Sequence, residues 1–579
     1  MAKRTPKQQT QLASSLATHL ATHLATHSVT HAGDTIGEYL IRRLQAYHVD
    51  HVFGIPGDYV LGFYDQLCRS RIKVVGTSKE DGAGFAADAY ARVHGMGAVC
   101  VTYCVGGLSV ANAIAGAYAE KSPVVVISGS PGMKERINDP LLHHKVKTFS
   151  TQREIFERIT ACALAIEDPD TAFRDIDRAL ATCWRMKRPV YIELPRDLVD
   201  VVPKNPVPSA IIDDSGDEAA LAEAVQEAVE RLRQAKRPVI LADVEIHRYG
   251  LGIELLSLSE RTGIPIAVTI LGKSVVSEIH PNYLGVYEGA MGRDDVAKAV
   301  ENSDCLLMLG TFLTDVNLGI FTARIDLNNT IEATSEKIQI SRHRYDRVPF
   351  DRFVRGLMNA KLPKRKIALK RKKAEKIEPI SPQRVIKVTR MFKLLDQRLA
   401  DDMAVVCDVG LCLFGAIDLT IQRRTDFIAP AYYTSMGFAV PASVGVGVAN
   451  RKLRPIVLVG DGAFQMTGME LATAVRQGLC PIVIVLDNKG YTTERVIQDG
   501  PYNNILNWNY HRIPEVLGSG WAISVRTEGE FADAWMQAVA NTKSFSLISV
   551  QLDPLDVCPA LERLGKRMAE NIPKTVNPH

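Results

Sequence analysis

Long hydrophobic runs are missing from this chain of 579 residues, and its net charge is small. No apolar stretch approaches the roughly 18 to 20 residues needed to cross a bilayer. The first 34 residues also lack the apolar core and cleavage site of a secretory signal. The formal net charge of +4 argues against nucleic acid or a membrane surface as a partner. We therefore expect a cytoplasmic protein that binds neither.

Cysteine clusters are also missing, although the chain holds ten cysteines. Only Cys100 and Cys104, and then Cys407 and Cys412, lie close together in the sequence. These spacings fit neither a disulfide framework nor a zinc site well. We therefore expect reduced and mostly buried thiols.

A short repeat near the N-terminus carries regularly spaced histidines. The Ala-Thr-His unit places them four residues apart, at His19, His23, His27 and His31. On a helix these side chains would share one face and could hold a metal ion. A mobile low-complexity tail over residues 1–34 is the alternative that the composition favours.

Strand-like and helix-like segments alternate along most of the chain. Near the N-terminus, β-rich runs such as His51–Ile55 and Ala98–Tyr103 are separated by helical patterns such as Phe85–Val93. The same rhythm returns near the C-terminus with Pro455–Val459 and Pro481–Leu486. This alternation predicts α/β domains with doubly wound parallel sheets. We expect three such domains, followed by a C-terminal tail, at residues 35–200, 201–363, 383–560 and 561–579.

A basic segment separates the second and third domains. Lys364–Lys376 holds eight Lys or Arg residues against one acid, and Pro379 and Pro382 follow it. A solvated linker over residues 364–382 is the interpretation that such a charge run favours. An anion-binding role is the alternative.

An acidic residue between two glycines follows an apolar run in the third domain. This segment is Gly460–Phe464, and Asn488 lies at the end of the next apolar run. A helix over residues 464–477 would bring both loops to the carboxyl edge of the sheet, where ligands bind in such domains. There Asp461, Asn488 and the carbonyl group of Gly490 can bind Mg²⁺, and glycines beside a helix N-terminus favour a diphosphate. A Gly-Asp-Gly triplet by itself is also common in turns.

The segments Gly460–Phe464 and Leu486–Tyr491 resemble the diphosphate and magnesium motif of thiamin-diphosphate-dependent enzymes. That motif begins with Gly-Asp-Gly and ends in a pair of asparagines. The first asparagine of the pair is Asp487 here, whereas the ligand position, Asn488, is retained. The resemblance implies Mg²⁺ ligands and thiamin diphosphate contacts at Asp461, Gly462, Ala463, Asn488 and Gly490.

The resemblance extends to residues that would hold the aminopyrimidine ring of the cofactor. Glu80 precedes the helical segment Gly84–Arg92, as the family's glutamate does. It would share a proton with N1′, so that N4′ can take the C2 proton of the thiazolium ring. A carboxylate that stabilises a helix N-terminus is the alternative role of Glu80. Tyr433–Phe438 matches the segment that bends the cofactor, which implies that Met436 supports the bend and the Thr434 carbonyl accepts a hydrogen bond.

Three polar patches are similar to the 2-oxo acid decarboxylases, which include pyruvate, indolepyruvate and phenylpyruvate decarboxylases. The patches are Phe53–Asp58, Leu141–His144 and Gly490–Arg495. The similarity covers about residues 35–560 and implies non-oxidative decarboxylation of a 2-oxo acid through a thiamin diphosphate enamine. It also implies that protons are supplied and relayed by Asp58, His143, His144 and Glu494.

Two departures from pyruvate-specific relatives bear on substrate size. Thr493 stands where those relatives carry a larger isoleucine-like side chain, and Asp408–Phe414 differs from the Gly-Thr-Ser of many relatives. We therefore expect an aromatic or bulky substrate such as indolepyruvate or phenylpyruvate. One methyl-sized change shifts selectivity by only about 1 to 3 kcal/mol, so pyruvate stays open as a smaller substrate.

Two other functional classes stay open. A carboligase similar to acetolactate synthase would use the same cofactor, but it is not expected to carry the His143-His144 pair. A non-catalytic member would lose Glu80, Asp461 or Asn488, and all three are present. Because the family usually divides cofactor binding between two subunits, the resemblance also implies a homo-oligomer, at least a dimer and usually a tetramer.

Overall fold

A computed structural model describes residues 33–208, 216–366, 378–422 and 427–571. The histidine repeat His19–His31 and most of the basic linker, residues 367–377, lie outside the described residues. The predictions about these two segments therefore stay predictions. In the part of the chain that the structure describes, no helix combines the length and the apolar character that crossing a membrane requires.

Helices and strands alternate through the described residues, as the sequence pattern predicts. The α-helices are α1 (Ile36–Ala46), α2 (Leu61–Arg69), α3 (Glu80–His94), α4 (Val105–Ala119), α5 (Thr151–Ile159), α6 (Ala172–Met186), α7 (Glu218–Gln234), α8 (Val244–Arg248), α9 (Gly252–Thr262), α10 (Asp294–Glu301), α11 (Phe350–Asn359), α12 (Val388–Asp396), α13 (Leu411–Ala416), α14 (Ala439–Ala449), α15 (Asp461–Thr467), α16 (Leu471–Arg476), α17 (Thr492–Ile497), α18 (Ile513–Leu517), α19 (Glu528–Ala540) and α20 (Pro559–Asn571). The strands are β1 (His51–Gly54), β2 (Lys73–Gly76), β3 (Gly97–Val101), β4 (Val124–Ser130), β5 (Cys162–Ala165), β6 (Val190–Pro195), β7 (Pro238–Ala242), β8 (Ile266–Val268), β9 (Tyr283–Val286), β10 (Cys305–Leu309), β11 (Thr330–Ala333), β12 (Ile338–Ile340), β13 (His343–Tyr345), β14 (Met403–Cys407), β15 (Phe427–Ile428), β16 (Arg454–Gly460), β17 (Ile482–Asp487), β18 (Trp521–Val525) and β19 (Ser546–Gln551).

The first of two units of the chain contains a six-stranded parallel sheet. The described residues of this unit are 33–87, 95–118 and 122–208. The strand order is β2-β1-β3-β4-β6-β5, and every neighbouring pair is parallel. All residues of β3, β4 and β6 are buried, which is typical of a parallel sheet covered on both faces.

The second unit contains the other two sheets. One has seven strands in the order β13-β12-β11-β10-β7-β8-β9. Its strands pair in parallel except at one edge, where β12 pairs antiparallel with both β11 and β13. The sheet is therefore mainly parallel, with an antiparallel edge that the sequence pattern did not indicate. The short connection from β11 to β12, closed by a hydrogen bond from Thr334 N to Lys337 O, permits only a hairpin.

The third sheet is parallel, in the order β15-β14-β16-β17-β19-β18. The apolar runs Pro455–Val459 and Pro481–Leu486 form its central strands β16 and β17, which pair with Gly460 opposite Leu486. Because these strands are neighbours and parallel, the loops that follow them leave the sheet at the same edge. Three α/β sheets confirm the predicted fold class, while the exact domain boundaries stay predictions.

The helix predicted over residues 464–477 is different in detail. It begins three residues earlier, at Asp461, and a 3₁₀ turn at Gly468–Glu470 divides it into α15 and α16. Glycine has low helix propensity, and the ring of Phe464 packs where a Cβ on Gly468 would lie, at 2.5 Å. The early start places Asp461, Gly462 and Ala463 in the first helical turn.

Candidate active site

The loops that follow β16 and β17 bring Asp461 and Gly490 together. The Asp461 side chain is buried, and its Oδ1 accepts a hydrogen bond of 2.8 Å from the backbone N–H of Gly462. Its Oδ2 accepts a hydrogen bond of 3.1 Å from the backbone N–H of Gly490. The carboxylate therefore links the first turn of α15 to the loop that also contains Asn488.

Burial makes this loop pair suitable for a cation. The pKa of Asp461 is raised to about 6, mainly by burial and also by the nearby carboxylate of Asp487. The pKa of Asp487 is itself raised by burial, and its Oδ2 accepts a hydrogen bond of 3.2 Å from Ser549. A divalent ion would relieve the repulsion of two buried carboxylates.

The hydrogen bonding of the Asn488 side chain indicates whether Asp461, Asn488 and Gly490 fit a metal ion. Its side chain is buried, and its Oδ1 has no hydrogen-bond partner among the residues that the structure describes. Buried amide oxygens are rarely left without a partner. Carboxylate, amide and backbone carbonyl oxygens form the hard donor set that Mg²⁺ prefers, and Asp461, Asn488 and Gly490 offer one of each. These residues fit a hard divalent cation.

Close packing explains why the residues at positions 462 and 490, at this edge of the sheet, are glycines. A Cβ on Gly462 would lie 2.4 Å from the Tyr491 ring, so only glycine fits there. Gly490 has a φ of 141°, and a Cβ on it would lie 1.9 Å from the carbonyl oxygen of Asn503. The backbone N–H groups of the first turn of α15, including that of the buried Ala463, have no acceptor four residues earlier within the helix. They suit the oxygens of a diphosphate.

A buried carboxylate positions the turn that contains Thr434 and Met436. Asp408 follows β14, and its oxygens accept hydrogen bonds from the N–H groups of Gly437 (3.2 Å) and Ala439 (2.9 Å). Burial raises the pKa of Asp408 to about 6, while these backbone hydrogen bonds lower it. Thr434 is exposed with a φ of 54°, and Met436 is half-buried. This role of Asp408 was not predicted from the sequence, although its place directly after a buried strand was an available signal.

Glu80 is the first residue of α3, and its side chain is half-buried. Its Oε1 lies 3.7 Å from the position that a Cβ on Gly106 would occupy, close to the start of α4. Both residues belong to the first unit, whereas Asp461 and Asn488 belong to the second. The roles assigned to Glu80, Thr434 and Met436 stay predictions.

Asp58, His143 and His144 form a cluster in the first unit. His143 Nε2 lies 2.7 Å from Asp58 Oδ2. The two histidine rings are 4.7 Å apart between centroids at 70°, and a φ of 68° at His144 lets neighbouring residues present both rings together. The ring of Tyr59 stacks on His143 at 4.7 Å, and its hydroxyl lies 3.3 Å from His143 Nδ1. Three sequence-predicted residues are thus brought together.

Arg196 was missed by the sequence analysis. It follows β6, and its Nη1 lies 3.7 Å from Asp58 Oδ2. Its guanidinium lies over the Tyr59 ring at 5.0 Å and donates a 2.9 Å hydrogen bond from Nε to Glu135. Glu135 is held in turn by the N–H of Gly132 at 2.7 Å. A basic residue directly after a strand end was the signal that could have found Arg196.

Glu494 lies on α17 in the second unit and is exposed, and Thr493 beside it is half-buried. The cluster of Asp58, His143 and His144 belongs to the first unit. The structure therefore does not test whether Glu494 acts with that cluster, and this assignment stays a prediction.

Comparison with known proteins identifies three domains of thiamine pyrophosphate (thiamin diphosphate) enzymes. The N-terminal TPP binding domain matches residues 34–152, the central domain 225–358 and the C-terminal TPP binding domain 408–550. The chain is 35% identical over 530 residues to the indole-3-pyruvate decarboxylase of Azospirillum brasilense, covering 89% of this chain and 95% of that protein.

Mycobacterial relatives show a similar likeness. Identity is 34% over 539 residues with the alpha-keto-acid decarboxylase of Mycobacterium avium (strain 104), covering 90% of this chain and 94% of the relative. It is 35% over 552 residues with that of Mycobacterium tuberculosis (strain ATCC 25618 / H37Rv), covering 92% and 97%. The chain therefore belongs to the thiamine pyrophosphate enzymes, in the family of the thiamin-diphosphate-dependent 2-oxo acid decarboxylases.

Proposed function

We propose that this protein decarboxylates a 2-oxo acid to an aldehyde and CO₂ without oxidation, and that its substrate is aromatic or bulky, such as indolepyruvate or phenylpyruvate. The observation that carries the proposal is the contact of Asp58 with His143, beside His144, in a chain whose relatives are named decarboxylases. A cluster that holds both acid and base groups suits a reaction that exchanges CO₂ for a proton.

Thiamin diphosphate and Mg²⁺ are the proposed cofactors. When bound, thiamin diphosphate supplies a carbon nucleophile for the 2-oxo group and an electron sink for the electron pair left as CO₂ departs. Asp461, Asn488 and Gly490 would hold the metal ion, and the N–H group of Ala463 would bind the diphosphate, which the missing side chain of Gly462 lets approach closely. The amide oxygen of Asn488, which has no hydrogen-bond partner in the described part of the chain, and the buried carboxylate of Asp461 support this assignment.

Three further residues would hold the organic part of the cofactor. Glu80 would hold a proton against the aminopyrimidine ring, and the carbonyl of Thr434 would accept a hydrogen bond from the same ring. Met436 would support the bent conformation of the cofactor. The anchoring of this turn by Asp408 supports the assignment, because a rigid turn can hold a ligand in one orientation.

Asp58, His143, His144 and Glu494 would move protons at the substrate. One proton is taken up by the 2-carbon as CO₂ leaves, and the aldehyde is released when the hydroxyl on that carbon gives up its proton. His143 Nε2, at 2.7 Å from Asp58, can exchange a proton with this carboxylate. The Asp58 and His143 side chains are 43% and 57% exposed, which leaves both open to a small molecule.

Thr493 supports a wide substrate site. The Thr493 Oγ1 atom would lie 3.1 Å from a Cβ placed on Gly410, so a larger side chain at 493 would fill the space beside Gly410. Thr493→Ile is expected to lower kcat/KM for phenylpyruvate by about tenfold or more and that for pyruvate by less. Thr493→Ser, which adds no bulk, is the matched control.

Product analysis tests the proposed function. The holoenzyme is given pyruvate, 2-oxoisovalerate, phenylpyruvate and indolepyruvate separately, and CO₂, aldehyde and joined products are quantified. We expect aldehyde and CO₂ in equal amounts, with the aromatic acids preferred. Acetolactate or another joined product in place of aldehyde would show a carboligase, and turnover of pyruvate alone would show the small-substrate alternative.

We also propose that the protein is cytoplasmic and forms a homo-oligomer. This is at least a dimer, and a tetramer is the usual state in the family. The assignment of Glu80 to the first unit and of the diphosphate contacts to the second supports an arrangement in which two chains complete each site. Such an interface would be isologous, with the same surface used by both copies.

A further inference from the structure

The cluster of Asp58, His143 and His144 has the composition of a metal site. One carboxylate oxygen and one nitrogen of each imidazole ring lie within 4.8 Å of one another. The closest pair, His143 Nε2 and Asp58 Oδ2, is already at 2.7 Å. Two histidines and one carboxylate are the ligands of many zinc sites that keep a fourth position open for water.

Only small side-chain rotations are needed for the ligand atoms of Asp58, His143 and His144 to bind one ion. Zinc bonds of about 2.0–2.1 Å in a tetrahedron place ligand atoms roughly 3.3 Å apart. The Tyr59 hydroxyl lies 3.3 Å from both His143 Nδ1 and the His143 carbonyl oxygen. By donating to the carbonyl and accepting from Nδ1–H, it leaves Nε2 unprotonated for the ion. The backbone of His144, with its φ of 68°, fixes the second ring beside the first.

The charges around the cluster also permit an ion. Arg196 lies 3.7 Å from Asp58, but it has its own carboxylate partner in Glu135. Because Glu135 balances the charge of Arg196, the negative charge of Asp58 is available to an ion. Imidazole nitrogens favour zinc-like ions, whereas the all-oxygen ligands around Asp461 favour Mg²⁺. A zinc-like ion would therefore bind at the histidines and Mg²⁺ at Asp461.

We propose that Asp58, His143 and His144 bind a divalent transition-metal ion of the zinc class, and that this ion inhibits the enzyme by occupying its acid and base groups. Binding of the ion stands on the geometry alone. Inhibition rests on the proposed function, because it requires that these side chains act in turnover. The two parts are measured separately.

Cobalt titration measures the binding. The starting protein carries His19, His23, His27 and His31 all changed to Gln, because that repeat can also bind metal. The holoenzyme, saturated with Mg²⁺ and thiamin diphosphate, is titrated with Co²⁺ while the visible absorption of four-coordinate Co²⁺ is followed. We expect one equivalent per chain, displaced by Zn²⁺, and at least tenfold weaker binding in His143→Gln, His144→Gln and Asp58→Asn.

His343→Gln is the matched control. His343 Nδ1 lies 3.0 Å from Glu227 in an exposed pair that lacks a second histidine, so Co²⁺ binding should not change in this variant. Unchanged binding in the three cluster variants would overturn the proposal. If those variants misfold, anomalous zinc scattering from crystals of the starting protein decides: a peak among the three side chains supports the proposal, and its absence contradicts it.

Activity is measured at the same Zn²⁺ concentrations. We expect the loss of activity to increase with the fraction of chains in which Zn²⁺ occupies the site that binds Co²⁺. Occupancy without inhibition would overturn the inhibitory part. A protein with no decarboxylase activity in the absence of Zn²⁺ would instead contradict the proposed function, and the binding result would still stand.

Discussion

Side chains around Asp58 form a series of contacts in which each group holds the next. Glu135 orients Arg196, Arg196 lies against Asp58 and the Tyr59 ring, and Tyr59 stacks on His143. Burial raises the pKa of the Tyr59 hydroxyl, which therefore stays protonated and able to donate. Arg196 would therefore be a positioning residue, because its contacts are with Asp58, Glu135 and Tyr59, through which it would act on a substrate.

Arg196→Ala is expected to lower kcat about tenfold with a smaller change in KM, since misplaced acid and base groups slow turnover more than binding. Arg196→Lys keeps the charge but loses the planar fork and the stacking, so an intermediate kcat is expected. Steady-state kinetics on phenylpyruvate provide the measurement. Arg512→Ala removes a comparable exposed Arg–Glu pair and should have no effect. A purely structural role would lower thermal stability and leave kcat unchanged.

Asp461 gives a pH dependence whose sign follows from its pKa. Burial raises that pKa from an ordinary 3.8 to about 6, and only the ionised carboxylate binds a metal. Affinity for Mg²⁺ with thiamin diphosphate should therefore fall about tenfold per pH unit below pH 6 and level off above it. Calorimetric titrations between pH 5 and pH 8 measure this, and a flat profile would contradict the assignment.

The cofactor-free protein should show the opposite trend. Between pH 3.8 and about 6 the folded Asp461 holds a proton that the unfolded chain has lost, so its contribution to stability decreases as the pH rises through this window. Added cofactor should reverse that slope.

Residues of the candidate site were predictable where a short motif carries them. Asp461 and Asn488 each follow an apolar run, so their own sequence context indicated a cation site, whereas Asp58 and His143 were predicted from the family resemblance. Arg196 contacts residues far away in the chain, and its place directly after a strand end was a local signal that does not identify those partners.

The turn after β15 shows how one element is held by another. Asp408 at the end of β14 accepts hydrogen bonds from Gly437 and Ala439, and Thr467 of α15 donates a 2.6 Å hydrogen bond to the Gly437 carbonyl. These contacts belong to the second unit and fix the turn that carries Thr434 and Met436.

Asp408→Ala is expected to lower the free energy of unfolding by about 1–3 kcal/mol, because it leaves buried N–H groups without acceptors. Cofactor affinity should fall with it, since the turn is no longer held. Asp408→Asn retains one acceptor oxygen and should be affected less. Urea unfolding followed by tryptophan fluorescence, together with thiamin diphosphate titration, measures both. A normal cofactor affinity in Asp408→Ala would show that the turn does not depend on this carboxylate.

Strands were predictable because apolar runs with β-rich composition are unambiguous when buried on both faces, as in β16 and β17. The antiparallel strands β12 and β13 were not predicted, since they are three residues long and partly exposed. The break between α15 and α16 depends on how Phe464 packs against Gly468, which is a tertiary contact that helix periodicity does not contain.

At the scale of the whole molecule, the proposed function requires two chains to complete each active site. Glu80→Gln and Asp461→Asn each remove a different half of the site. Mixed dimers of the two inactive variants would contain one intact site and one doubly damaged site. Refolding an equal mixture should therefore restore about a quarter of the wild-type activity if the chains combine at random. No restoration would show that each chain builds its own site.

The central claim is that this chain decarboxylates a 2-oxo acid with thiamin diphosphate and that Glu80 is required. Its most direct test is CO₂ and phenylacetaldehyde release from phenylpyruvate by the wild type and by Glu80→Gln, with bound cofactor quantified in both. We predict equal amounts of the two products from the wild type. We also predict a rate at least about 100-fold lower in Glu80→Gln with the cofactor still bound. Joined products in place of aldehyde, or an undiminished rate in Glu80→Gln, would contradict the account.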